Sequence, residues 1–146
     1  DADYGLPARE VLQMESFSGA TPVPGSRPFV IGIIQLRGRV VPVIDLRLRF
    51  GFPAASAATL ESRVVVAESA VATASGRGSQ HHRAVALLVD RAREVVRIPS
   101  SALKPPPRLV DDSGFVRAIV QLEDRTILIL DFEKVIGGGE EPAVDV

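Results

Sequence analysis

The 146-residue sequence has no cysteine, no tryptophan, one tyrosine, and two histidines that stand side by side as His81 and His82. Without cysteine there are no disulfides, no thiolate metal ligands and no cysteine nucleophile. Charge of one sign is also missing: 17 Lys plus Arg face 18 Asp plus Glu, a formal net charge of -1, so no global field draws nucleic acid or an anionic membrane. No apolar run approaches the roughly 20 residues that cross a bilayer. The start, Asp1-Ala2-Asp3-Tyr4, has neither the basic flank nor the apolar core of a secretion signal. A cytoplasmic protein with no nucleic-acid partner and no membrane insertion is expected.

What is present suits one globular domain with a real core, since 46% of positions are hydrophobic and 24% charged. Short runs rich in Val, Ile and Leu alternate with Gly, Pro and charged turns at spacings too short for crossover helices, the pattern of an antiparallel all-β fold. Strands are expected at 11–14, 30–36, 39–44, 63–67, 84–89, 94–98, 115–122 and 125–130. Val40 to Ile44 and Ile127 to Leu130 are apolar on both faces, as strands packed on two sides are. Leu36-Arg37-Gly38-Arg39 reads as a tight hairpin, with Gly38 supplying the positive φ and Arg37 displayed at the tip. Glu123-Asp124 reads as a second, with Asp124 taking the left-handed conformation. Pro42 donates to no ladder, so its strand is expected to be an edge or bulged there. Asp131 caps a short helix over 132–136 that Gly137 stops, and a single turn is expected at 100–103. Residues 68–83 read as a long loop, 137–146 as a flexible acidic tail, and 1–136 as a single domain without an internal repeat.

Catalytic motifs are scarce. Adjacent His81 and His82 point apart on an extended segment and lack further ligands. Asp111-Asp112-Ser113-Gly114 starts like a calcium loop but lacks the later acidic ligands. The Gly137 to Gly139 run has no Lys-Ser/Thr and follows a helix instead of opening one. A small-molecule-binding or hydrolytic barrel would need a polar pocket lined by Asp45, Asp90 or Glu94. The charges do cluster in one place: between 27 and 49 stand Arg27, Arg37, Arg39, Arg47 and Arg49 against Asp45 alone, a local excess of +4. This is either a solvated face with one internal pair or a docking face, since Arg is enriched at interfaces and a hairpin tip is sterically free. Asp45 is expected to pair with Arg37 or Arg47.

The run from Gly32 to Gly51, Gly-Ile-Ile-Gln-Leu-Arg-Gly-Arg-Val-Val-Pro-Val-Ile-Asp-Leu-Arg-Leu-Arg-Phe-Gly, resembles the signature of CheW-like domains, the coupling modules of bacterial chemotaxis. The likeness extends to Tyr4-Gly5-Leu6 with Val11 to Met14, to Leu87 through Val95, to Leu103 through Pro107, and to Ile127 through Asp131. The resemblance implies two intertwined SH3-like five-stranded β-barrels with short helical turns, no catalytic centre and no cofactor. It implies an adaptor that couples the cytoplasmic tip of a methyl-accepting chemoreceptor to the regulatory domain of a CheA-type histidine kinase. A scaffold of a pilus-motility or other non-flagellar array, or a CheW-like domain of a larger signalling protein, is the alternative.

Carried over by position, the receptor-binding residues are Val11, Gln13, Gly32, Arg37, Gly38, Asp90, Ala92 and Val95, and the kinase-binding strand is Arg63, Val64, Val65 and Val66. Gly32 is expected to leave room for a receptor helix. As residue types, Val11 and Val95 suit a barrel core equally well. Gln13 stands where the family has Glu, which weakens the case for a charged contact there. Tyr4-Gly5-Leu6 matches the end of the family's second strand, so the family's first strand is expected to be absent from this sequence.

Overall fold

The computed structural model describes residues 3–52, 62–68, 84–93, 95–107 and 114–137. His81, His82, Glu94, Asp111 to Ser113, the 68–83 loop beyond Glu68, and the tail after Gly137 lie outside the described residues. The fold is mostly β, with two sheets and a few short helical turns, and the chain divides into two compact units, Arg9–Glu94 and Asp1–Ala8 with Val95–Val146.

The first of these units holds β2 (Val11–Ser16), β3 (Val30–Leu36), β4 (Arg39–Asp45), the one-turn helix α1 (Leu46–Arg49), β5 (Arg63–Glu68) and β6 (Ala84–Val89). Its strands lie in the order β2-β5-β6-β4-β3. All pairs are antiparallel except β4 with β6, where Val43, Ile44 and Asp45 stand opposite Ala86, Leu87 and Leu88. Side chains two apart on neighbouring strands share a face, so Val41 and Val43, Val64 and Val66, and Ala86 meet in one buried cluster. Ile34, Leu36, Leu88, Phe17 and Ala20 close around it. Leu87 and Val85 are buried as well, so β6 has no wet face.

The second unit holds β1 (Asp3–Gly5), β7 (Val116–Leu122), β8 (Arg125–Leu130) and α2 (Phe132–Val135). Its order is β1-β8-β7, with β1 parallel to β8 and tied there by an Asp3–Arg125 ion pair at 3.4 Å. Ala118, Val120, Ile127, Leu130, Phe132 and Val135 are its buried apolar residues.

Several expectations are corrected. The sheet is not purely antiparallel, since β4/β6 and β1/β8 run parallel. Residues 95–98 form no strand: they alternate between exposed and half-buried but have no ladder partner among the described residues, and Pro99 follows. The ladders among the described residues make one five-stranded and one three-stranded sheet, and neither is ladder-closed into a barrel. Pro42 lies on the interior strand β4, not at an edge. Its partner Ile33 turns both its N–H and its C=O toward Thr21, at 2.9 Å each. The Ile33/Pro42 pair is therefore a non-hydrogen-bonded one. Pairing of β4 with β6 begins only at Val43, so the missing N–H interrupts no ladder.

Contrary to the expectation of no internal repeat, the two units contain one: residues 29–51 and 115–137 share eight identical residues, among them Phe29/Phe115, Gln35/Gln121, Asp45/Asp131 and Gly51/Gly137. Positions 86 apart play the same parts. Phe29 and Phe115 carbonyls accept from Asp45 and Asp131 N–H at 3.0 and 2.8 Å. Each hairpin shifts register at its start, between Val30 and Gly32 and between Val116 and Ala118. Among the described residues, the non-glycine positions with positive φ are Arg37 (50°) and Glu123 (49°), so it is Glu123 and not Asp124 that turns the second hairpin. Asp45 and Asp131 each cap a one-turn helix through a side-chain oxygen.

Candidate functional site

The hairpin that carries the basic cluster is built by Arg37 and Gly38, at φ 50° and 80°, between the paired residues Leu36 and Arg39. Two consecutive left-handed residues give the turn whose twist matches the flanking strands. Arg37, Gly38, Arg39 and Val40 are all exposed. Two other arginines of the cluster are committed internally. Arg47 grips Asp90 with both Nε (3.2 and 3.1 Å) and Nη2 (2.7 Å), a bidentate pair spanning 43 residues. That contact, first by hydrogen bonding and then by charge, holds the Arg47 pKa above its ordinary value. Arg49 lies over the Phe29 ring, 4.3 Å from its centroid. Asp45 is a local partner of Arg47, as expected, through the Arg47 backbone and not its guanidinium. It is buried, and its Oδ1 accepts the Arg47 backbone N–H at 2.9 Å.

The residues expected to face a receptor are spread over several elements. Arg37 and Gly38 sit at one end of β3 and β4. Gly32 lies five residues from Arg37, about 16 Å along an extended strand. It shares the far end with Asp90 and Ala92, because parallel pairing puts Asp45 beside Leu88. Val11 and Gln13 lie on β2, with Gln13 Nε2 donating to Glu15 at 2.6 Å. Val95 belongs to the three-stranded unit and is 80% exposed, which removes the core reading for it; Val11 is half-buried.

Gly32 does allow a close approach, but of the chain itself. Its φ is 153°, and a Cβ there would lie 2.7 Å from the Thr21 carbonyl carbon and 3.1 Å from the Ala20 methyl. The kinase-facing strand is corrected in part: β5 is interior to the sheet, and Val64 and Val66 are 1% and 3% exposed, leaving them no surface for a partner. Arg63 and Val65 are half-buried, and Arg63 Nη1 donates to the Ser62 carbonyl at 3.0 Å.

Sequence reasoning missed the Arg47–Asp90 tie, because no local signal links charges 43 positions apart. It also missed the apolar pair Leu12 and Met14, 45% and 49% exposed on one face of β2. Leu12 and Met14 alternate with Gln13 and Glu15, a pattern that by itself would have placed the apolar pair inward. Among the described residues no group of three or more His, Asp or Glu is placed to hold a metal ion. An open groove of about 290 Å³ between β2 and β3 is lined by Glu15, Phe17, Thr21, Ile33 and Leu36, among others. Neither Asp45 nor Asp90 lines it, so it is not the polar pocket a hydrolytic barrel would need.

Two sheets, each with a tight hairpin followed by an aspartate-capped helical turn, define a β domain. The family model of the CheW-like domain matches residues 1–140. The chain is 30% identical over 136 residues to the chemotaxis protein CheW of Bacillus subtilis, covering 92% of this chain and 80% of that protein. It is 27% identical over 145 residues to the chemotaxis protein CheW of Rhizobium meliloti, covering 98% and 86%. A crystal structure of the scaffolding protein TtCheW from Thermoanaerobacter tengcongensis matches with a TM-score of 0.74 at 31% identity, over 88% of this chain and 80% of that one. The class is thus that of a chemotaxis coupling adaptor. The chain belongs to the CheW-like domain family.

Proposed function

We propose that this chain binds the cytoplasmic tip of a methyl-accepting chemoreceptor with one surface and the regulatory domain of a CheA-type histidine kinase with another, in the cytoplasm at a receptor array. It acts by fixing geometry and not by catalysis, so its effect on the kinase is a coupling between two binding events. The observation that carries this reading is the β3–β4 hairpin. Its left-handed turn holds Arg37 out from the sheet at the position where the family signature has its Arg-Gly pair. Val11, Gln13, Gly32, Asp90 and Ala92 are the further receptor-side candidates in the same unit, and Val95, which is exposed, is the candidate in the other. On the kinase side, Arg63 and Val65 retain accessible surface while Val64 and Val66 serve the core.

The five-stranded sheet is one SH3-like barrel in this reading. Support comes from Thr21, which continues the chain after β2 and makes two 2.9 Å bonds to Ile33 on β3. That bridge joins the two extremes of the strand order around the shared core.

The test is capture of a chemoreceptor cytoplasmic fragment and of the kinase regulatory domain by wild-type and Arg37→Ala protein. Arg37→Ala is expected to weaken receptor capture with an unchanged Tm, because an exposed turn side chain carries little stability. Receptor capture equal to wild type removes Arg37 from the interface.

A further inference from the structure

The chain leaves the five-stranded sheet at Val89, and the following residues Asp90 to Arg93 have no ladder and no helix. Arg47 holds the first of them through three hydrogen bonds from its guanidinium. Arg47 is itself held. Its backbone N–H is bound by the buried Asp45 cap, its neighbour Leu46 is buried, and Asp45 lies opposite Leu88 in the β4/β6 ladder. A bidentate guanidinium–carboxylate pair fixes direction as well as distance. The clamp therefore ties the start of the segment after β6, in which Arg91 and Arg93 make contacts of their own.

The repeat inside the molecule shows that the fold does not demand this contact. The second unit builds the same hairpin, aspartate cap and one-turn helix with Glu133 at the position of Arg47 and Val135 at that of Arg49. Arg47 is thus surplus to what the hairpin and helix require. Both partners of the pair are also substantially exposed, with side chains 45% and 60% accessible. Water screens such a pair, so it contributes little to global stability. A contact that neither the local fold nor global stability needs, attached to the start of a segment with no regular structure, is explained by what it orients.

We propose that Arg47 is a positioning residue: by tethering Asp90 it holds the Asp90 to Arg93 segment in the orientation in which the domain meets its receptor. This rests on the receptor-binding reading of that segment, and it changes the part played by Asp90 from a partner contact to an internal anchor.

The experiment uses the full chain with Arg47→Ala, Arg47→Asp, Asp90→Arg and the double exchange Arg47→Asp/Asp90→Arg, with Arg37→Ala as the reference. Two quantities are measured: backbone 15N order parameters of residues 90–93 in the free chain, and affinity for a chemoreceptor cytoplasmic fragment. Each single change at 47 or 90 is expected to lower the order parameters from about 0.85 toward the flexible range below about 0.6. Each is also expected to weaken binding roughly fivefold, the low end of coupling between separate sites. The double exchange is expected to restore both.

Unchanged order parameters in Arg47→Ala overturn the tether. Restored order without restored binding in the double exchange overturns the anchor and makes Asp90 a direct contact. Wild-type binding by Arg37→Ala counts against the receptor reading alone, while the order parameters still decide whether Arg47 holds the segment.

Discussion

Replacing Gly32 by alanine tests how the five-stranded unit is joined along its open side. The added Cβ would lie 2.7 Å from the Thr21 carbonyl carbon, and the obstacle is backbone, which cannot rotate away as a side-chain tip can. Relief requires either the 20–21 segment or β3 to move. Either movement breaks the reciprocal Thr21–Ile33 bonds, both 2.9 Å. Each such bond contributes about 1 kcal/mol net, and holding a non-glycine residue in a sparsely populated backbone region costs about 1 to 3 kcal/mol. Gly32→Ala should therefore destabilise by about 3 to 5 kcal/mol. For a chain of this size that is a Tm drop of roughly 6 to 20 °C.

Gly38→Ala is the internal control. Its φ is 80°, but nothing lies within 4 Å of the position the added methyl would take, so only backbone strain of roughly 1 to 2 kcal/mol applies. Urea denaturation followed by circular dichroism measures both. If Gly32→Ala costs no more than Gly38→Ala, the close approach of Thr21 is not what requires glycine at 32, and the bridge across the open side is not a stabilising contact.

The other predictions concern the core and the α1 cap. Leu87→Ala, at a side chain 1% exposed on a strand buried on both faces, should lower unfolding free energy by about 2 to 5 kcal/mol. Leu12→Ala, at a side chain 45% exposed, should stay within about 0.5 kcal/mol of wild type in the same denaturation assay. Asp45→Ala removes the acceptor of the Arg47 N–H and should cost about 1 kcal/mol, whereas Asp45→Asn, which also caps, should retain most of the stability.

Local chemistry made much of the fold legible. Strands 30–36, 84–89 and 125–130 coincide with their apolar runs to the residue, and the Arg37-Gly38 turn and the Asp131 cap follow from turn and cap preferences. The misreadings share a cause. Residues 95–98 have the alternation of a strand, but alternation reports which faces are wet and not whether a neighbouring backbone is present. Pro42 has the missing donor of an edge residue, and only the register of the β3/β4 ladder shows that its pair is a non-hydrogen-bonded one. Val64 and Val66 match contact residues by position, and interior placement of β5 makes them core. The repeat at a spacing of 86 is legible in the identities between 29–51 and 115–137, although its turn residues, Arg37-Gly38 and Glu123-Asp124, differ.

The sequence by itself determined the β class, the turns, the caps, the family and the absence of cysteine chemistry, because each depends on residues close together in the chain or on composition. Tertiary structure alone decided that Gly32 accommodates Thr21, that Asp90 answers Arg47, and that the near-neutral charge conceals a selective use of arginine. Arg47 and Arg49 are engaged by Asp90 and Phe29, while Arg37 and Arg39 stand at the exposed hairpin tip. Which arginines remain at the surface for a partner depends on which residues the parallel β4/β6 pairing brings alongside them, and separation along the chain carries no record of that.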